Sequence, residues 1–182
     1  MEFTATQIPD VIVIDPVVHE DARGFFMETW QERKFREAGI NAKFVQDSHS
    51  RSSFGVLRGL HYQGSQAQGK LVRVIHGEVF DVAVDIRKSS PTFGQWVGEV
   101  LSAGNRKLIW IPPGFAHGFL VLSEIADFEY RQTDFYAPEH ERTILWNDPG
   151  LAISWPLADG QEPLLSKKDE AGVFLNDADV YA

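Results

Sequence analysis

The chain has 182 residues, 43% hydrophobic and 24% charged, and its 26 acidic and 17 basic side chains leave a net charge of −9. This length suits one domain that buries roughly 70% of its extended surface, and the lack of cysteine excludes a disulfide frame or a thiolate metal site. The acidic total argues against nucleic acid as a partner. No apolar run approaches the ~18 residues of a membrane span, and the start, MEFTATQIPDVIVIDP, has no signal-peptide pattern, so a soluble cytoplasmic protein is expected.

The first element written plainly is a helix in TWQERKFREAG. Thr29 and Glu32 read as a T-x-x-E capping box, and Gly39 stands where a C′ glycine belongs. Short strand-like runs then follow in order: GVLRGLHYQ, KLVRVIHGEVF, FDVAVDIR, QWVGEVLSA, RKLIWIPP, GFLVLSE and ADFEYRQT. In FDVAVDIR, Phe80, Val82, Val84 and Ile86 alternate with Asp81, Ala83, Asp85 and Arg87. Breakers such as His76-Gly77, Pro112-Pro113-Gly114 and Asn147-Asp148-Pro149 separate the runs. A second short helix is expected after Ser166 in SKKDEAG. Many short strands with helices only near the ends describe a mainly β chain, an antiparallel sandwich or barrel of the jelly-roll kind spanning 1–182 as a single domain. Such a barrel can enclose a pocket lined by inward side chains.

The charge is unevenly spread. From Ser48 to Gly77 there is no Asp or Glu, while the window holds Arg51, Arg58, Lys70 and Arg73 with His49, His61 and His76. A solvated salt-bridge face would interleave both signs. A stretch without carboxylates keeps a pocket positive, which suits a bound phosphate and a developing oxyanion.

Individual side chains admit a plain and a chemical reading. His61, inside an apolar run, is either a satisfied core histidine or a general base, since an ordinary imidazole pKa of ~6.5 suits proton abstraction near neutral pH. His117, in PPGFAHGFLVL, admits the same pair of readings. Neither belongs to an H-x-H pair, His61 being followed by Tyr62 and Gln63, and the next carboxylate is Glu78, so no metal centre is expected. Tyr130 and Tyr136 fill core space, or one donates a proton and the other stacks on a flat ligand. Asp169 belongs to a helix start or orients an imidazole. The chain contains no G-x-x-x-x-G-K-[ST], G-x-G-x-x-G or G-x-S-x-G motif.

HEDARGFFMETW, GVLRGLHYQ, VFDVAVDIRKSSPTFGQW, IPPGFAHGFLVLSE, TDFYAPEHE, WNDPGLAISWPL and LLSKKD appear in that order from about Gln7 to about Gly172. Taken together they resemble the dTDP-4-dehydrorhamnose 3,5-epimerase family. The resemblance implies a cupin-type jelly roll working as a homodimer without metal or organic cofactor. It implies a substrate with a C4 ketone on a thymidine-diphosphate sugar, dTDP-4-dehydro-6-deoxy-D-glucose, inverted at C3 and C5 on the way to dTDP-L-rhamnose. It assigns His61 as base, Asp169 as its partner, Tyr130 as proton donor, Lys70 to the enolate and Tyr136 to stacking on thymine. Arg23, Glu28, Gln46, Asp47, Ser48, Arg58, His117, Glu141 and Lys168 fall where the family contacts its ligand, and part of the N-terminal segment is expected to reach the neighbouring subunit. Where the family usually has Asn after Gln-Asp, this chain has Ser48. Epimerases that invert C3 alone share nearly all these motifs, and a non-catalytic nucleotide-sugar binding module would share the barrel without needing the His–Tyr–Asp set.

Overall fold

The computed structural model describes residues 1–158 and 160–182. Thirteen strands are named in chain order: β1 (Glu2–Ala5), β2 (Ile12–Asp15), β3 (Val18–Asp21), β4 (Gly24–Met27), β5 (Gln46–Ser53), β6 (Leu57–Gln63), β7 (Lys70–His76), β8 (Glu78–Asp85), β9 (Trp96–Ser102), β10 (Leu108–Ile111), β11 (Phe115–Val121), β12 (Ile125–Gln132) and β13 (Glu141–Thr143). Two antiparallel sheets result, one ordered β1-β2-β10-β7-β12-β5 and the other β13-β6-β11-β8-β9. The hairpin β3–β4 stands apart from both. This is the mainly β jelly roll that the strand pattern predicted, of the cupin type that the family resemblance implied.

Three apolar clusters follow from strand alternation. Between the sheets, Val72, Val74, Val79, Ala83, Phe119 and Phe128 belong to the inner core. There the Phe119 and Phe128 rings stack at 4.3 Å across the sandwich. The outer face of the five-stranded sheet is covered by the C-terminal third of the chain, where Ile144, Leu151, Leu175 and Ala178 meet Leu60, Val82, Val84 and Ile86. The apolar side of the FDVAVDIR alternation therefore faces this outer layer, and the side carrying Asp81 faces the interior. Both sides are buried, because the sheet is packed on both faces. The outer face of the six-stranded sheet is partly covered by helix α1 (Glu32–Glu37), through Phe35 and Ile40 on Leu71, Leu108 and Trp110.

The capping-box expectation is corrected here. Helix α1 begins after Gln31, whose side chain accepts the Lys34 N–H at 2.8 Å, so Gln31 is the N-cap and Thr29 lies outside the helix. Gly39 does close the helix as expected, at φ +86°. The Gly39 N–H reaches Arg36 O and the Ile40 N–H reaches Phe35 O, which is the Schellman pattern, with buried Ile40 and Phe35 in its hydrophobic contact. The second expected helix is α2 (Lys167–Glu170), capped by Ser166.

Candidate active site

His61 lies on β6 opposite His117 on β11, in the five-stranded sheet. Regular alternation would send Arg58 and His61, three residues apart, to opposite faces. The pairing runs His117↔His61 and then Phe119↔Arg58, so β6 carries one extra residue against β11 and both side chains share the inward face. Gly59 sits in this bulge at φ +130°, where a Cβ would stand 2.5 Å from Gly118 Cα.

The His61 imidazole Nε2 lies 2.5 Å from Asp169 Oδ1. Asp169 is anchored in turn: Ser166 Oγ donates to Oδ2 at 2.6 Å, and the Gly59 N–H donates to Oδ1 at 3.4 Å. Helix α2 thus delivers the far-end carboxylate to β6. Burial raises the Asp169 pKa, but the His61 and Ser166 hydrogen bonds outweigh it and leave the carboxyl at about 2. Burial also holds the imidazole of His61 below its ordinary value, with Lys168 and Lys70 pushing the same way against the pull of Asp169. The pair therefore rests as neutral imidazole beside carboxylate.

Lys70, at the start of β7 in the other sheet, donates to His61 O at 3.3 Å across the sandwich. Burial brings its ammonium down to about 8, opposed by the charges of Asp81 and Glu141. Tyr130 is on β12, also in the six-stranded sheet, with its hydroxyl 3.4 Å from Ser50 Oγ of β5. Burial pushes that hydroxyl up to about 12. The Tyr130 ring meets the His117 ring edge-on at 6.3 Å. Imidazole and phenol thus rise from facing sheets, with Lys70 bridging toward His61.

His117 is buried and its Nε2 lies 2.8 Å from Asp81 Oδ2, while Asp81 Oδ1 has no hydrogen-bond partner among the described residues. Alternation alone reads Asp81 as a surface residue. Nothing in that run separates Asp81 from a solvated acid. Ser50 escaped sequence reasoning, because a lone serine carries no pattern, and Ser166 was read only as the start of a helix, not as a partner of the Asp169 carboxylate.

At the rim, the Tyr136 hydroxyl donates to Glu141 Oε2 at 2.8 Å and Lys168 Nζ to Glu141 Oε1 at 2.7 Å. Gln46 Oε1 accepts the Tyr136 N–H, and Gln46 Nε2 donates to Ser48 Oγ. Ser48 also accepts from Gln132 Nε2 at 3.1 Å. Arg58 Nε donates to Ser52 Oγ and has no carboxylate partner among the described residues.

The other cations of the carboxylate-free window are not free. Arg51 forks onto Asp127 with two 2.7 Å bonds, His49 joins it at 3.2 Å, and Arg73 bonds Glu129 at 2.6 Å. Strand β12 supplies these acids on the outer face, so among the described residues Arg58 and Lys70 are the two of the four basic residues that make no ion pair. Asp47 likewise faces outward, bonded to Arg131. Arg23 and Glu28 do not join this cavity: Arg23 pairs with Asp21 on the exposed β3–β4 hairpin, and Glu28 pairs with Lys34.

The family model for dTDP-4-dehydrorhamnose 3,5-epimerase matches residues 5–177. The chain belongs to that family. A dTDP-4-dehydrorhamnose 3,5-epimerase from Pseudomonas aeruginosa is 63% identical, covering all of this chain and 99% of the relative. A crystal structure of the epimerase from Legionella pneumophila, in complex with dTDP-4-keto-L-rhamnose, superposes with a TM-score of 0.93 at 56% identity, covering 97% and 93% of the two chains. A 3'-monoepimerase from Streptomyces bikiniensis, in complex with dTDP-quinovose, has a TM-score of 0.87 at 34% identity over 94% and 87%. The chain is accordingly an isomerase of this family, and no helix among the described residues is long and apolar enough to cross a membrane.

Proposed function

We propose that the protein inverts C3 and C5 of dTDP-4-dehydro-6-deoxy-D-glucose, giving dTDP-4-dehydro-L-rhamnose for dTDP-L-rhamnose synthesis. The family membership supports the substrate, and the facing arrangement of His61 and Tyr130 carries the mechanism. Hydrogens beside a ketone are weakly acidic, because their loss places charge on the carbonyl oxygen. His61, neutral and oriented by Asp169, takes such a proton, a contribution of ~10²–10⁴ in rate. Lys70 meets the enolate oxygen, and a well-placed donor in a water-poor cavity is worth roughly 3–4 kcal/mol. Tyr130 then returns a proton from the opposite sheet, which inverts the centre. Only the C4 carbonyl needs activation, so one oxyanion site serves both carbons once the ring adjusts.

The rim reads as the nucleotide end. Tyr136 stacks on thymine, Arg58 grips the diphosphate, and Gln46, Ser48, His117, Glu141 and Lys168 frame the ligand. Asp47 contributes through its backbone, since its carboxylate is turned outward to Arg131. We assign the chain as one epimerase domain, acting as a homodimer in which Arg23 and Glu28 serve the neighbouring subunit's cavity. A cytoplasmic location fits a chain without cysteine.

NMR of the ketosugar nucleotide in deuterated water with this protein alone tests the reading. Deuterium at both C3 and C5 is the expected result. Label at C3 alone would make the protein a mono-epimerase, and no label at either carbon would leave a binding module.

A further inference from the structure

Residues 133–137, TDFYA, leave β12 and carry Tyr136 to the rim. Side-chain amides hold the backbone of this segment. Gln68 Nε2 donates to Asp134 O at 2.9 Å, and Gln46 Oε1 accepts the Tyr136 N–H at 3.0 Å. Gln63 takes both flanks of the tyrosine: its Nε2 donates to Phe135 O at 3.2 Å and its Oε1 accepts the Ala137 N–H at 2.8 Å. The same Nε2 donates to Gln66 O at 2.7 Å, and the Gln63 carbonyl receives the Tyr181 hydroxyl from the C-terminal strap. Gln63 is 4% exposed, whereas Tyr136 is 50% exposed.

A carboxylate at position 63 could accept from Ala137 but not donate to Phe135, and an ammonium could do only the reverse. An amide does both without adding charge beside a diphosphate. Gln63 also stands two residues beyond His61 on the same strand. One strand therefore fixes the spacing between the imidazole at the sugar end and the aromatic ring at the base end.

We propose that Gln63 is a positioning residue for nucleotide recognition, holding the Tyr136 ring in its binding orientation before the base arrives. The inference rests on the reading of Tyr136 as the thymine platform. A pre-set ring spares the ordering entropy that a loose loop would lose on binding, so the effect belongs in affinity and KM, with kcat at saturation left within about twofold.

The test is calorimetric titration of dTDP alone into wild type, Gln63→Ala, Tyr136→Ala and the double variant, with steady-state kinetics alongside. Gln63→Ala should bind dTDP roughly tenfold more weakly, the scale of one or two lost hydrogen bonds. Combined with Tyr136→Ala it should add little, because both changes act through one ring. Gln63→Glu keeps the volume and the acceptor for Ala137 N–H but sets a carboxyl oxygen against Phe135 O and Gln66 O; it should remain folded at reduced thermal stability and also bind dTDP more weakly than wild type. Unchanged dTDP affinity in Gln63→Ala or in Gln63→Glu, or a fully additive double variant, overturns the role of Gln63 while the platform stands. Unchanged affinity in Tyr136→Ala removes the platform itself, and the inference with it.

Discussion

His61 must be neutral to take a proton, and Lys70 must be charged to meet the enolate, so two groups bound the working pH range. Burial holds the folded-state pKa of His61 below its ordinary ~6.5. Activity therefore falls only as pH drops below that ordinary value and the imidazole gains a proton. Burial leaves Lys70 at about 8, so activity falls again as pH rises through 8 and the ammonium loses its proton. Tyr130, at about 12, stays protonated throughout. The profile of kcat/KM, which reports the free enzyme, should be a bell with its alkaline limb near pH 8. Lys70→Arg replaces the titrating cation with one that stays charged, and whatever rate survives should lose that limb. A limb still at pH 8 in Lys70→Arg would assign it to another group. Taken singly, these side chains left a structural reading open; the resemblance carried by ordered segments such as GLHYQ and SKKD is what gave His61, Lys70, Tyr130 and Asp169 their expected roles. Asp81 was not legible. Its partner His117 lies 36 residues away, and the alternation that contains it is indistinguishable from a half-solvated strand.

At the scale of elements, the site depends on a departure from regular pairing. The extra residue of β6 opposite β11 turns Arg58 and His61 to the same side, and it depends on Gly59 lying against Gly118. In Gly59→Ala the new methyl would fall 2.9 Å from His117 O as well as 2.5 Å from Gly118 Cα, at a φ of +130° that other residues avoid. The substitution should cost roughly 1–3 kcal/mol from backbone strain alone. It should also lower kcat at temperatures where the protein remains folded, because Arg58 and His61 no longer share a face. Thermal denaturation together with kcat measured well below the transition checks both; a destabilised variant with wild-type kcat would show that the bulge serves stability only. Such a bulge cannot be read from GVLRGLHYQ, which scans as an ordinary apolar run. Strand β5 was missed for a related reason. Gln46–Ser53 contains no aliphatic residue, since its inward side lines a polar cavity and its outward side belongs to ion pairs. Periodicity finds strands by their apolar face, and β5 has none. The helix start failed differently: Thr29-x-x-Glu32 fits a capping box, but Gln31, two residues later, caps the Lys34 N–H instead.

At the scale of the molecule, the cavity of one chain lacks two of the side chains expected around the ligand. Arg23 and Glu28 belong to an N-terminal excursion whose hairpin exposes Phe25 at 56% and Phe26 at 68%. Its ties to its own chain include Arg106, which stacks over Phe25 at 4.3 Å and bonds Glu20 at 2.6 Å. Phe25 and Phe26 follow one another on β4, so each side of the hairpin exposes an aromatic ring rather than one shared apolar face. If Arg23 and Glu28 act across a two-fold interface, each site is built from two chains, and defects in the two halves should complement one another. His61→Asn should be inactive by itself, and Arg23→Ala/Glu28→Ala severely weakened. After the two are unfolded and refolded together, half of the randomly paired dimers are mixed, and one of the two sites in each mixed dimer combines an intact His61 with an intact hairpin from its neighbour. Activity should then rise to about a quarter of the wild-type value per site. If both halves of a site came from one chain, no pairing would restore it, and the refolded mixture would be no more active than its components.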